Sequence, residues 1–293
     1  MLDLASLAIF QQVAACGSIT RTAQQLGRAQ SNITTRVQQL EESLGTPLFV
    51  REARRMVLTP QGQQLLRYAD QLLSLAEEAE QTLRATAPSG RLRLGSMEST
   101  AAARLPQPLA HYHRRFPDVQ LALSTAPSRQ LVEQVLDHQL DAALVAWPPP
   151  DIDEPLPLDL VPLYDEPLRL LLPAGSTPAQ APSTLAAFSD GCSYRRIGED
   201  WLQQHSSGGA PAQVLQLHSY HAILATVAAG SAVAVAPQAV LDLQREPLPL
   251  LAEPLPPCTT MFVTRKGYHT PAIAQLLSIL QSHRAPDARQ QAI

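Results

Sequence analysis

Between Gln30 and Glu41, four short hydrogen-bonding side chains, Ser31, Thr34, Thr35 and Gln38, fall on one side of a helical projection. Ile33, Val37, Leu40 and Leu44 fall on the other side, at spacings of four, three and four. Gln30 stands at the exposed first turn. A helix anchored by an apolar stripe normally shows water a mixture of Lys and Glu. Hydroxyls and carboxamides instead hydrogen-bond to base edges and phosphates without carrying a large charge. The pattern predicts a helix that lies in a groove of duplex DNA, although a small helical domain with a polar face would show the same alternation.

A second set of polar residues sits at the ends of predicted strands: Ser96-Met-Glu-Ser-Thr100, Ser124-Thr-Ala-Pro-Ser128 and His218-Ser-Tyr-His221. Ligands of open α/β sheets collect outside the carboxyl ends of strands, near helix N-termini with free N–H groups. Ser96, Glu98, Ser99, Thr100, Thr125, Ser128, His218, Ser219 and Tyr220 are therefore candidates for a small-molecule cleft. Trp147 and Tyr194 would add an apolar or cation–π wall. Ser99, Thr100 and Ser128 equally suit helix caps, and the helix dipole favours an acid at Glu98. Turned into the cleft, Glu98 would pair with a cation and disfavour a plain carboxylate. A rival reading starts from Cys192, whose neighbours Arg195 and Arg196 would lower its pKa and suit it to peroxide sensing. The next cysteine, Cys258, is 66 residues further on.

The elements that position these residues follow from capping and period. A helix over residues 3–16 packs through Leu4, Leu7, Phe10, Val13 and Ala14. Gly17-Ser18 caps a short second helix with Ile19, Ala23 and Leu26 on its buried stripe, and Gly27 ends it. Two short helices joined by a tight turn make a helix-turn-helix whose second member enters the major groove. Leu48–Arg51 and Arg54–Leu58 read as a small β wing, with Arg51, Arg54 and Arg55 available to phosphates. Thr59-Pro60 opens a long helix in which Leu65, Ala69, Leu72, Ala76, Ala79 and Leu83 form a heptad seam. Leu66 and Leu73 offer a second face for packing on the second half of the chain, and so narrow a seam points to a second copy of the chain.

Taken together, Ser18-Ile-Thr-x-Thr-Ala23, Gln30-Ser-Asn-Ile-Thr34, Leu40-Glu41, Leu44-Gly45, Pro47-Leu-Phe-x-Arg51 and Leu58-Thr-Pro-x-Gly62 resemble the LysR-type transcriptional regulators. The resemblance implies a winged helix-turn-helix, a dimerising linker helix, and an effector domain of two Rossmann-like lobes similar to type 2 periplasmic binding proteins. It also implies that Gln30, Ser31, Thr34, Thr35 and Gln38 contact DNA, with Arg51 and Arg54 on the wing. Ala29 departs from the pattern, standing where the family usually places a capping Ser. Gly95–Thr100, Cys192–Arg196 and Ser219–His221 look similar to a branch that includes a regulator of putrescine use, which agrees with Glu98 on an amine or polyamine effector.

Beyond residue 91 the pattern alternates strands and helices, as in an α/β fold with helices on both faces. Strands are predicted at 91–97, 119–125, 140–146, 167–172, 214–218, 232–236 and 260–265, with helices at 100–115, 128–138, 221–229 and 271–283. The expected organisation is a DNA-binding domain over 1–58, a linker over 59–90 and an effector domain over 91–293. Within the last, 91–162 with 267–293 would form one lobe and 163–266 the other.

Residues 1–60 hold six Arg and four acids, a balance of +2 inside a chain whose net charge is −4. Affinity for duplex DNA would therefore lean on a homodimer or homotetramer as well as on phosphate contacts. RNA polymerase is a candidate further partner. Three cysteines without metal-ligand spacing fit a reducing cytoplasm, and the start Met1-Leu-Asp-Leu4 lacks the regions of a signal peptide. No apolar run is long enough to span a membrane. No nucleotide loop, metal motif or nucleophile elbow is present, so neither an enzyme nor a cofactor is expected. A cytoplasmic solute-binding protein would explain the second half but leave residues 1–85 without a purpose.

Overall fold

The structure, a computed structural model, describes residues 2–52, 55–84, 87–152, 155–205 and 213–283. The chain forms two compact units, Met1–Arg84 and Ala85–Ile293.

In the first unit, α1 (Leu4–Cys16), α2 (Ile19–Gln25) and α3 (Gln30–Leu44) precede a hairpin of β1 (Phe49–Glu52) and β2 (Arg55–Leu58), and α4 (Pro60–Arg84) follows. Asp3 caps α1 by accepting from the Ser6 N–H at 2.8 Å, and Ser18 caps α2 through the Arg21 N–H. Gly17, at φ 61°, ends α1 in the left-handed region, and its carbonyl accepts from the Met56 N–H of the wing. Phe10, Val13, Ile33, Val37, Leu40 and Leu48 close the core, with Phe10 and Phe49 rings 5.3 Å apart. Each such side chain contributes roughly 1.5–3 kcal/mol by leaving water.

Leu4, Leu26 and Leu44, expected in that core, are exposed. Leu4 and Leu44 are the terminal residues of their helices and Leu26 is a C-cap, so none has a neighbouring turn to bury it. The heptad seam of α4 is also divided. Leu65 and Ala69 are buried in the winged unit, where Leu66 and Leu73 pack as well. Tyr68, Leu72, Leu75 and Leu83 remain exposed along the rest of the helix.

The second unit is a mixed α/β assembly of two lobes. Its first lobe begins with β3 (Gly90–Ser96), α5 (Glu98–Ala103), α6 (Pro106–Arg115), β4 (Val119–Thr125), α7 (Ser128–Leu136) and β5 (Ala142–Trp147). Then follow β6 (Leu158–Pro173), β7 (Thr184–Ala187), α8 (Ser193–His205), β8 (Gln213–Gln216), α9 (Tyr220–Ala228), β9 (Ala234–Pro237) and α10 (Gln238–Leu241). The chain returns through β10 (Leu250–Arg265) to α11 (Pro271–Ser282). The strand order β4-β3-β5-β10-β6-β9 combines parallel pairs around β3 with antiparallel pairs along β10 and β6. The parallel pair β7–β8 joins the strands through a bridge between Leu185 and Val233.

β6 and β10 pair over nearly their whole length, so both long strands serve both lobes, and β6 passes residue 162 unbroken. The sequence pattern showed only their later parts, 167–172 and 260–265, because Pro162 precedes the first and Pro254, Pro256 and Pro257 precede the second. Pro256 and Pro257 lie in a register shift between Leu255 and Cys258, where no ladder N–H is required. The helix expected over 100–115 is two helices, separated before Pro106, which has no N–H to continue the first. Helices cover both faces of the strands through separate apolar clusters, one around Leu144, Phe262 and Leu276, another around Leu131, Val145 and Leu168. Among the described residues no helix is long and apolar enough to cross a membrane.

Candidate nucleic-acid interface and ligand cleft

Burial of Ile33, Val37 and Leu40 fixes the rotation of α3, so its other side faces solvent. Gln30, Ser31, Thr35 and Gln38 are exposed there. Thr34 is half-buried, and its hydroxyl donates to the Gln30 carbonyl at 2.9 Å, which turns it back onto the helix. Asn32, Arg36 and Gln39 share the exposed side and line a shallow groove with Ala29, Ser31 and Thr35. The uncharged ridge expected from the sequence therefore carries a guanidinium. Its signal was available, because Arg36 directly follows Thr35 and cannot lie on the apolar stripe between Ile33 and Val37.

No side chain caps α3 at Ala29, so that N-terminal turn lacks the usual hydroxyl acceptor. Glu41 braces the other end: its Oε1 accepts from the Leu48 and Phe49 N–H groups at 2.7 and 3.1 Å, tying α3 to the wing. Arg51 is exposed on β1. Arg54 lies outside the described residues.

In the second unit the strand ends converge on a cavity of about 350 Å³. Its wall includes Glu98 and Ser99 of α5, Thr125 and Ser128 at the β4–α7 junction, Tyr194 of α8, and His218 and Tyr220 at the start of α9. Four expected residues stand off this wall. Ser96 is fully buried and its hydroxyl donates to the Met97 carbonyl, while Thr100 is buried one turn into α5. Trp147 packs against an apolar cluster, and Ser219 caps α9 by accepting from the Ala222 N–H. Gln130, Gln134, Phe188, Ser189 and Cys192 line the cavity without having been expected. Gln130 and Gln134 are four residues apart on α7, opposite the buried Leu131, Val132 and Val135, a polar stripe that was readable. Phe188, Ser189 and Cys192 follow β7, a strand too short to stand out.

Burial pushes the Glu98 carboxyl above its ordinary range, against smaller opposing effects of the Tyr220 N–H and of His221. Tyr194 and Tyr220, both buried, are pushed well up for the same reason. Burial also raises the Cys192 thiol, outweighing the N–H groups of Arg195 and Tyr194 and the Arg195 charge. The two arginines are engaged elsewhere, Arg195 with Glu199 at 2.8 Å and Arg196 with Asp200 at 3.2 Å. The thiolate required for peroxide sensing is thus disfavoured. Cys192→Ser is expected to leave DNA affinity before and after peroxide treatment unchanged, as read by gel shift. A peroxide effect that vanishes with the substitution would restore the redox reading.

Two family models match this chain: "Bacterial regulatory helix-turn-helix protein, lysR family" over residues 4–63 and "LysR substrate binding domain" over residues 85–285. The transcriptional regulator YofA of Bacillus subtilis is 36% identical over 272 residues, covering 91% of this chain and 94% of that protein. GltR of the same organism, also a transcriptional regulator, is 35% identical over 295 residues, covering 96% and 97%. Among solved structures, a full-length OxyR variant from Pseudomonas aeruginosa superposes with a TM-score of 0.69 at 21% identity, covering 98% of this chain and 96% of that one. CbnR, a LysR family regulator, gives 0.64 at 20% identity, with 97% and 100% covered. These structures share the fold, while the family models and curated relatives describe regulators of transcription and not enzymes. The chain belongs to the LysR family of DNA-binding transcriptional regulators, with an N-terminal helix-turn-helix and a C-terminal effector-binding domain.

Proposed function

We propose that this regulator works in the cytoplasm as a homodimer or homotetramer, switched by a small molecule bound in the cavity between the strand ends. α3 enters the major groove, where Gln30, Ser31, Thr35, Gln38 and Arg36 meet bases and phosphates and Thr34 contributes its methyl edge. Arg51, with Arg54, holds the wing to the backbone. The observation that carries this reading is the exposed polar side of α3, fixed in rotation by buried Ile33, Val37 and Leu40. One similar solved structure is described as full-length CbnR complexed with target DNA, which supports the same use of this fold.

The linker over 59–90 joins two copies through the stripe of Tyr68, Leu72, Leu75 and Leu83, exposed at 55%, 40%, 48% and 86%. Such a stripe on a helix roughly 37 Å long calls for a partner. Residues 91–293 form the effector domain, whose two lobes share β6 and β10. An effector that binds one lobe arrangement better shifts the population of DNA-bound geometries. RNA polymerase is the partner on which that shift would act.

Duplexes selected from a random pool by the full chain provide the test. Thr35→Ala is expected to lose about 1–3 kcal/mol of discrimination at one base position of the selected site. Arg51→Ala is expected to weaken binding to every sequence and lower the salt dependence by about one ion. Equal effects of both substitutions across sequences would overturn the assignment.

A further inference from the structure

The cavity wall is polar in an unbalanced way. Among its described residues there is no Arg or Lys, and its charged member is the carboxylate of Glu98. Three side-chain oxygens on the wall are buried and lack a hydrogen-bond partner: Glu98 Oε2, Gln134 Oε1 and the Tyr194 hydroxyl. They come from three elements, α5, α7 and α8, which have no local reason to leave oxygens unpaired at one cavity. Buried acceptors are ordinarily satisfied, so a cluster of unsatisfied ones requires a donor from outside the chain.

Resting on the reading of this cavity as the effector site, we propose that the effector carries a protonated primary amine, held by Glu98, Gln134 and Tyr194. An ammonium group offers three donors and no acceptor, the complement of this wall. A carboxylate ligand would instead face Glu98 with no Arg or Lys on the wall to offset it. Phe188 and Tyr220, with ring centroids 5.0 Å apart, and Tyr194 supply aromatic surface that tolerates a cation and its methylene chain. The Glu98 carboxyl is raised by burial, which the Tyr220 N–H and His221 only partly oppose.

Calorimetry on the full chain, with 1,4-diaminobutane, 4-aminobutanoate and butanoate as probes, tests this. The diamine, the amino acid or both are expected to bind, and butanoate not to bind. Binding of the diamine alone identifies a polyamine-like effector; binding of the amino acid alone identifies a zwitterion. Glu98→Gln, which keeps the shape of the side chain, is expected to weaken amine binding at least tenfold, and Tyr194→Phe to weaken it severalfold. Thr125→Trp, at an exposed wall position, plugs the cavity and is expected to abolish binding. Butanoate binding that Thr125→Trp abolishes would overturn the amine while keeping the cavity as the effector site. Amine binding indifferent to Thr125→Trp would overturn both, and no amine binding at millimolar concentration would overturn the amine.

Discussion

Gly62→Ala is expected to unfold the DNA-binding unit well before the effector unit. Helix propensity alone argues the other way, since Ala is favoured over Gly in a helix by about 1 kcal/mol. The surroundings reverse that sign. A Cβ at Gly62 would stand 2.1 Å from the Leu48 carbonyl oxygen and 3.0 Å from Leu58 Cδ2. The first distance is more than about 1 Å shorter than carbon and oxygen approach even in a C–H···O contact. The obstacle is backbone, so no rotamer change relieves it.

Leu48 cannot retreat without loss. Its carbonyl accepts from the Thr59 N–H at 2.9 Å and its N–H donates to Glu41 at 2.7 Å. Thr59 in turn accepts from the Gly62 N–H at 2.9 Å and donates to the Pro47 carbonyl at 2.8 Å. Overpacking at such a junction exceeds the propensity gain and leaves a net loss of roughly 2 kcal/mol or more. For a unit of this size the midpoint falls by roughly 10 °C. Both tryptophans, Trp147 and Trp201, belong to the effector unit, so circular dichroism and tryptophan fluorescence separate the two transitions. The helical signal should melt early, the fluorescence transition should hold, and Gln61→Ala next door should change neither. An unchanged helical transition in Gly62→Ala would refute the close approach of α4 to the wing.

The winged unit was legible because its signals are local. Period, cap and turn residues lie within a few positions of one another, and Ser18, Gly17 and Thr59 do in space what their types suggest. The exceptions, Leu4, Leu26 and Leu44, carry the right period but stand at helix ends, where period says nothing about neighbours. The effector unit was legible where a strand is an apolar run or alternation uninterrupted by proline, as in β3, β4 and β5, and β7, only four residues long, was missed. β6 and β10 were legible only in part, since proline in a bulge has the same local appearance as proline in a loop.

The cleft was half readable for a related reason. Strand-end residues point outward by topology, which found Glu98, Ser99, Thr125, Ser128, His218 and Tyr220. Alternation along β3 turned Ser96 into the interior, and the turn of α5 did the same for Thr100. Gln134 reaches the wall from a helix flank and Phe188 from just beyond an unrecognised strand, so only the folded chain brings them to Glu98.

Long-range pairing is the part no spacing reveals, and Arg104 with Glu166 is its clearest instance. Arg104 closes α5, and its Nε and Nη2 donate to the two carboxylate oxygens of Glu166 at 2.9 and 2.8 Å. The pair joins α5, whose other end carries Glu98 on the cavity wall, to the long strand β6 shared by both lobes. Glu166 is 3% exposed at its side chain, against 28% for Arg104, and the guanidinium also lies 5.5 Å from the Tyr164 ring centre. Arg104→Met therefore keeps most of the packing but strands a buried carboxylate, for which a loss of about 3 kcal/mol is expected. In the effector unit this is a fall of roughly 6–12 °C in the tryptophan-detected midpoint, with melting of the DNA-binding unit unmoved. Arg104→Met combined with Glu166→Leu should recover most of that loss, because removing both charges also removes the desolvation they require. If the double variant were as unstable as the single one, packing of Arg104 and not its charge would be what the effector unit depends on at this joint.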